Sequence, residues 1–233
     1  MKKIINILTI LFCVCLITGC NKQQKEESNK DALKVKEEYE SLNGLINENN
    51  GKEYAKIILD ENNPFTYINA SDIEKKVENK DSFVLYLGFP ECPWCRNAIT
   101  VLSSAAKSTG VKNIYYFRLK DEDGNDLRNL LKVDENGEVV TEREGSKDYN
   151  TLLDLFNDSL DEYDGLNDSS IKRIYAPTVI FIKDGKVIGL HTSTVSSQKD
   201  PYILLNEKQT QELKNIYENY IHEMLDDLCN DKC

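Results

Sequence analysis

From residue 64 onward, apolar residues recur with a regularity that separates strands from helices. Phe65 to Ile68 is a short apolar-rich run and reads as a strand. Ser71-Asp72-Ile73-Glu74 has the Ser-x-x-Glu form of a capping box and predicts a helix to about Lys80. Ser82 to Phe89 is a near-continuous apolar run, as expected of a buried central strand of a parallel sheet. Pro93 to about Lys107 reads as a helix with Ile99, Leu102 and Ala106 on one face, and Asn113 to Leu119 as the next strand. In that strand Tyr115-Tyr116-Phe117 is expected to serve as core and partner surface. Residues 120–148 are acidic and Gly-punctuated and read as an insertion. Leu152, Leu153, Phe156, Leu160 and Tyr163 lie at helical spacing and predict a helix over Tyr149 to Tyr163. Thr178 to Ile182 and Lys186 to Leu190 flank Asp184-Gly185, a strong hairpin pattern. Glu207 to Leu228 reads as a long amphipathic helix. The order is β-α-β-α-β-α-β-β-α. It predicts an α/β fold: a parallel sheet with helices on both faces, made mixed by an antiparallel hairpin strand.

Upstream of residue 64 the pattern is different. Lys2 and Lys3 precede an apolar run from Ile4 to Ile17, interrupted by Asn6 and Thr9. It is short for a membrane span, which needs about 20 apolar residues, and has the form of a secretory signal. Residues 21–30 are polar and read as a solvated tether. Residues 31–48 carry Leu33, Val35, Tyr39, Leu42 and Leu45 in a charged background and predict a partly amphipathic helix. Gly51 and Asn62-Asn63-Pro64 separate this extension from the main domain.

The signal run ends Ile17-Thr18-Gly19-Cys20 and turns abruptly polar. This junction resembles the cleavage box of bacterial lipoproteins. The resemblance implies a signal peptide over 1–19, lipidation of Cys20 and an extension over 20–63. The alternative is an ordinary signal peptide or uncleaved anchor with an incidental cysteine. The chain has 233 residues and seven cysteines. Cleavage would remove Cys13 and Cys15, and lipidation would use Cys20. Two pairs would remain, Cys92 with Cys95 and Cys229 with Cys233. The protein would then sit outside the cytoplasm, where disulfides persist.

Charge changes the picture in one respect. The formal net charge is −11, so no basic stripe is available for nucleic acid. Losing Lys2 and Lys3 would leave 27 basic groups against 40 acidic ones. Acyl chains rather than a basic patch would have to hold such a chain to a membrane.

The central pair carries the candidate chemistry. Phe89-Pro90-Glu91-Cys92-Pro93-Trp94-Cys95-Arg96 lies between a predicted buried strand and a predicted helix. Cys92 would be the N-cap, with Pro93 at the first helical position, where its missing N–H costs little. Free N–H groups and the helix dipole at such a position favour a thiolate. Cys-x-x-Cys thiols at helix starts have pKa values of about 3.5–7.5 against about 8.5 for a free thiol. Cys95, one turn in and less exposed, is placed to resolve a mixed disulfide formed by an exposed Cys92. A zinc site using Cys229 and Cys233 as further ligands is a second reading, and a purely structural disulfide a third.

Residues 64–233 resemble the thioredoxin fold. The strand, the Cys92-Pro93-Trp94-Cys95 turn and the following helix are similar to its active site, Ala176-Pro177-Thr178 to its cis-proline segment, and Lys183-Asp184-Gly185-Lys186 to its hairpin. The resemblance implies a cis Pro177 against the cysteines and an Ala176 carbonyl that pairs with an extended substrate. Tyr39-Glu40-Ser41-Leu42-Asn43, Gly88 to Cys95 and the 166–182 stretch further resemble Gram-positive thioredoxin-like lipoproteins described as bacteriocin transport accessory or bacteriocin-maturation disulfide isomerase-like. Two features depart from thioredoxin: Pro93-Trp94 stands where it has Gly-Pro, and its buried carboxylate, six residues before the nucleophile, is replaced by Tyr86. Proton removal from Cys95 then falls to water or to another group such as Glu91.

The resemblance implies a lipid-anchored, extracytoplasmic thiol–disulfide oxidoreductase with Cys-bearing protein or peptide clients, an unidentified redox partner and no cofactor beyond the Cys92–Cys95 pair. A non-enzymatic binding lipoprotein and a metal-binding module are the alternatives. Trp94 is expected to grip apolar client segments, and Glu91 and Arg96 to tune the site or to be solvated. Cys229 and Cys233 are expected to form a local clamp, with a second redox relay, metal binding or intermolecular pairing as alternatives. His191 and His222 are expected to be surface or packed residues. Asp121-Glu122-Asp123-Gly124-Asn125-Asp126 has a calcium-loop composition but fails the EF-hand pattern.

Overall fold

The apolar run at 83–88 becomes the middle of a sheet because both of its faces are covered. In the computed structural model, which describes residues 30–230, strand β2 (Phe83–Gly88) is buried along its whole length. Around it stand β1 (Phe65–Tyr67), β3 (Ile114–Arg118), β6 (Thr178–Lys183) and β7 (Lys186–Thr192), in the order β1-β3-β2-β6-β7. β1, β3 and β2 run parallel. β6 is antiparallel to β2, and β7 is antiparallel to β6 and forms the edge. The sheet is therefore mixed already at its centre, one strand earlier than an antiparallel edge alone would make it.

Period-two alternation divides β2 between two cores. Val84 and Tyr86 face helices α1 (30–40), α3 (Pro93–Thr109) and α5 (Glu207–Asn230), with Val35, Tyr39, Ile99, Leu102, Leu213 and Tyr217 in one cluster. Phe83, Leu85 and Leu87 face α2 (Ala70–Glu78) and α4 (Lys147–Phe156), with Ile73, Tyr149, Leu152 and Phe156 in the other. Helices thus cover both faces of the sheet.

Local chemistry fixes the ends. The side chain of Asn69, not Ser71, caps α2 by accepting from the Asp72 N–H at 2.9 Å; Ser71 instead donates to Asn69. Gly110, at φ 78°, closes α3 in the left-handed conformation that glycine adopts without a steric cost. The helix expected over 31–48 ends at 40, and the chain then turns back along the domain. The expected helix over 149–163 is shorter too: α4 gives way to a single 3-10 turn, Asn157–Ser159.

The acidic stretch 120–148 is not featureless. It holds a separate antiparallel hairpin, β4 (Leu130–Val133) and β5 (Val139–Arg143). Its turn is closed by the Asp134 N–H to Glu138 carbonyl bond at 2.9 Å, and the Asp134 carboxylate accepts from the Asn136 and Glu138 N–H groups. Its strands are half-exposed, so no apolar alternation marked them. Among the described residues no helix is long and apolar enough to cross a membrane.

Candidate functional site

The end of β2 and the start of α3 bring the cysteines together. Cys92 is the N-cap of α3 and Pro93 the first helical residue. The Cys92 sulfur accepts the Cys95 N–H at 3.2 Å and donates to the Ala176 carbonyl at 3.3 Å. Both cysteines are free thiols. The peptide bond between Ala176 and Pro177 is cis. The Thr178 hydroxyl donates to the Tyr175 carbonyl at 2.8 Å and closes the turn that presents Ala176. Cys92 and Cys95 after β2, and Ala176, Pro177 and Thr178 at the start of β6, therefore meet at one end of the two neighbouring interior strands.

Cys92 is less open than its expected role as an exposed nucleophile implies: it is 6% exposed, and Cys95 is fully buried. The 176–177 segment lies across the thiol and accounts for this. Trp94 is half-buried and lines a cleft of about 480 Å³ together with Tyr175, Ala176, Thr192, Asp161 and Asp164. Ala176, whose carbonyl Cys92 contacts, is thus part of the cleft wall.

Arg96 is not solvated. It is fully buried, and its guanidinium donates to the Tyr39 carbonyl at 2.7 Å, the Asn43 side-chain oxygen at 2.6 Å and the Ala55 carbonyl at 2.9 Å. It thereby fastens α1 and the following loop to the first turn of α3. Burial pulls its pKa down, and the ring of Tyr54 lies 5.6 Å away. Glu91 is engaged elsewhere: its carboxylate reaches Lys120 at 3.3 Å and Arg118 at 4.0 Å. Those contacts use one oxygen; the other is buried and has no hydrogen-bond partner among the described residues.

Behind Cys95 lies a group of hydroxyls. Tyr86 and Tyr39 share a hydrogen bond of 3.0 Å, and the Tyr86 hydroxyl stands 3.5 Å from the Cys95 carbonyl. Gly88 makes room for this: a β-carbon there would meet the Tyr86 hydroxyl at 2.7 Å and the Cys95 sulfur at 3.1 Å. Burial raises the Cys95 pKa well above the ordinary thiol value, with the neighbouring Cys92 adding to the rise and hydrogen bonds from the Phe89 backbone and from Tyr86 opposing it. Burial likewise holds Tyr39, Tyr86 and Tyr116 neutral.

One cation comes from the insertion. Arg128 stacks 5.3 Å from the Phe89 ring centroid and is held by Asp126 through bonds of 2.9 and 2.7 Å. Burial works against its charge, but Asp126 and the fields of Cys92 and Cys95 outweigh burial and raise its pKa.

Tyr39 and Arg128 are the site neighbours that sequence reasoning missed. Tyr39 lay in a segment read as an extension, and Arg128 in one read as a solvated acidic insertion. No periodicity or motif points either of them at the cysteines. Asp121 and Asp126 of the calcium-like stretch are bonded to Asn125 and Arg128. Among the described residues no group of three or more His, Cys, Asp or Glu is placed to hold a metal. His191 packs edge-on against Tyr217 and its Nε2 lies 3.0 Å from the Thr194 carbonyl; His222 is exposed on α5. Cys20 and Cys233 lie outside the described residues, as does the Cys229 side chain.

Comparison with family models finds no match for this chain, and comparison with curated proteins finds none either.

Proposed function

We propose that this chain is a thiol–disulfide oxidoreductase of thioredoxin-like fold, with Cys92 as nucleophile and Cys95 as resolving thiol. The observation that carries the reading is the position of the Cys92 sulfur. It sits at a helix start, between the Cys95 N–H at 3.2 Å and the Ala176 carbonyl at 3.3 Å. A backbone N–H and the positive end of a helix favour negative charge on sulfur. A carbonyl beside a cleft is free to pair with an extended client once the Cys92 thiol has reacted.

In the reducing direction the Cys92 thiolate attacks a client disulfide, and one client sulfur leaves with the electron pair. Cys95 then attacks Cys92, closes the intramolecular disulfide and releases the second client sulfur. Oxidation of a client is the same sequence in reverse. Direction depends on the potential of the pair against that of its redox partner. The clients are Cys-bearing proteins or peptides, which Trp94 and the adjoining cleft would hold. The Ile17-Thr18-Gly19-Cys20 junction supports placing the protein as a lipoprotein on the outer face of a bacterial cell membrane, in keeping with the Gram-positive lipoproteins it resembles.

The test is a pair of variants. Cys92→Ser is expected to abolish insulin reduction and oxidative refolding of a reduced client. Cys95→Ser is expected to accumulate clients as mixed disulfides. Full activity in the first variant refutes the redox reading, and an empty trap in the second points to a binding module instead.

A further inference from the structure

We propose that the Tyr39–Tyr86 hydroxyl pair takes the place of an acid in the resolving step: Tyr86 donates a hydrogen bond to the Cys95 sulfur as it ionises, and Tyr39 positions Tyr86. The inference rests on the redox reading above and assigns the group that serves its second step.

The geometry is as follows. Tyr86, on β2, points its hydroxyl into the space that Gly88 leaves vacant, beside the Cys95 sulfur. The Tyr39 hydroxyl of α1 lies 3.0 Å from it and the Cys95 carbonyl 3.5 Å. A hydroxyl carries one hydrogen and two lone pairs. If Tyr39 donates to Tyr86, the Tyr86 hydrogen, which is directed at the Cys95 carbonyl over a long 3.5 Å, can swing to the Cys95 sulfur once that sulfur is charged. The charge influences have these signs: Tyr39 eases ionisation of Tyr86, and Tyr86 eases that of Cys95. Both tyrosines are fully buried, so neither is spent on solvent.

Of the other groups facing Cys95, the Phe89 backbone hydrogen bond also favours its thiolate. Cys92 opposes its ionisation from the same helix. Tyr116 on β3 and Tyr217 on α5 are neutral hydroxyls within its electrostatic reach. Arg128 is the cation that feels its charge. Among the described groups around it, Tyr86 is the hydroxyl whose hydrogen bond favours the thiolate.

Atoms and electrons balance without an outside reagent. A bond forms between the Cys95 and Cys92 sulfurs, and the bond from Cys92 to the client sulfur breaks. The electron pair leaves on the client sulfur as a thiolate, and the proton that Cys95 lost goes to water, which protonates the departing thiolate according to its own pKa. Tyr86 stays neutral throughout and contributes only its hydrogen bond.

The experiment uses the full chain and Ellman's reagent as the small disulfide. Trp94 is the chain's single tryptophan and lies between the two cysteines, so its fluorescence follows closure of their disulfide. Stopped-flow fluorescence then gives the rate of resolution from pH 6 to about pH 10. Removing one hydrogen bond to a charged group lowers that rate roughly ten- to a hundredfold. Tyr86→Phe is therefore expected to slow resolution by about that factor at neutral pH and to displace the rising limb of the pH profile upward. The first step, attack by Cys92, is expected to keep its rate. Tyr39→Phe is expected to move the profile in the same direction by a smaller factor, and it decides the matter if Tyr86→Phe does not fold. A wild-type profile in the folded Tyr86→Phe protein, or a slowing of both steps alike, overturns the proposal. Normal resolution of the small disulfide without action on any protein disulfide overturns the oxidoreductase reading and leaves the role of Tyr86 standing.

Discussion

Replacing Arg96 by alanine measures how firmly the segment before residue 64 belongs to the domain. The guanidinium joins three acceptors on that segment: the Tyr39 carbonyl, the Asn43 side chain and the Ala55 carbonyl. Each hydrogen bond lost from the charged guanidinium costs about 1.5–3 kcal/mol, although the Asn43 oxygen keeps its bond from the Ile57 N–H. Removing Arg96 also removes a buried charge that, among the described residues, no carboxylate neutralises, and this offsets part of the loss. Water entering the gap offsets a further part. A net loss of about 3–5 kcal/mol follows, which is large for a single substitution and of the kind expected when a buried network is broken. For a domain of this size, about 1 kcal/mol moves the unfolding temperature by about 2–4 °C, so a drop of roughly 10 °C is expected. Thermal unfolding followed by circular dichroism gives the drop, and limited proteolysis is expected to cut within 40–63 first. Arg96→Lys keeps the charge but loses the planar fork, and is expected to recover less than half of the stability. A drop of less than about 2 °C for Arg96→Ala would refute the reasoning.

Arg128→Ala removes a cation that the thiolates feel, so the reduced pair loses favour; the reduction potential measured against glutathione is expected to fall by about 10–30 mV, the equivalent of roughly 0.5–1.4 kcal/mol, and an unchanged potential would deny Arg128 that influence. Acidification is expected to destabilise the fold in two windows. Burial holds the His191 pKa below its ordinary 6.5, so stability present above that value is lost as pH falls through the folded-state value. At Asp126 burial pushes upward, but the Arg128 hydrogen bonds and charge hold the pKa below its ordinary 3.8, so a second loss comes as pH falls beneath that figure. Urea titrations from pH 3 to pH 8 check this: Asp126→Asn should flatten the lower window alone, and identical curves would remove Asp126 from the account. Deleting residues 1–63 strips Val35, Tyr39, Ile57 and Leu59 from the core and leaves Arg96 buried without its main acceptors. The shortened chain is expected to be largely unfolded by far-UV circular dichroism, and a cooperative transition at the full-length temperature would contradict that.

The elements that carry the site were legible because their signals were local. An all-apolar run reads as a central strand whatever surrounds it, and Cys-Pro at its end reads as a helix start. The Asp-Gly turn fixed the last hairpin in the same way. The strand direction of β6 was less accessible. Whether a strand enters a sheet parallel or antiparallel depends on the path of the residues before it, and 157–177 are mostly irregular. The β4–β5 hairpin was hidden because its strands bury too little to alternate. The segment before residue 64 was the largest omission. Its punctuation by Gly51 and Asn62-Asn63-Pro64 looks like a boundary, yet Tyr39 and Arg96 tie it to the core through contacts 47 and 57 residues apart in sequence. Such contacts leave no periodic trace.

On the proposed redox reading, a tyrosine rather than a carboxylate behind Cys95 alters how that thiol should behave. A carboxylate beside Cys95 would titrate with it, and the two protons would come off in macroscopic steps belonging to the pair. Once ionised, it would also set a like charge against the thiolate. A hydroxyl whose pKa burial raises well above its ordinary value stays neutral across the working range and does neither. It also cannot take the proton from Cys95. On the proposed mechanism that proton passes to water, and release is fastest when the departing client thiol has a low pKa. An acid-bearing site can hold the proton itself. The tyrosine pair therefore leaves the speed of release to the pH and to the leaving ability of the client thiol, while Tyr39 makes the Tyr86 hydrogen bond depend on α1 being docked.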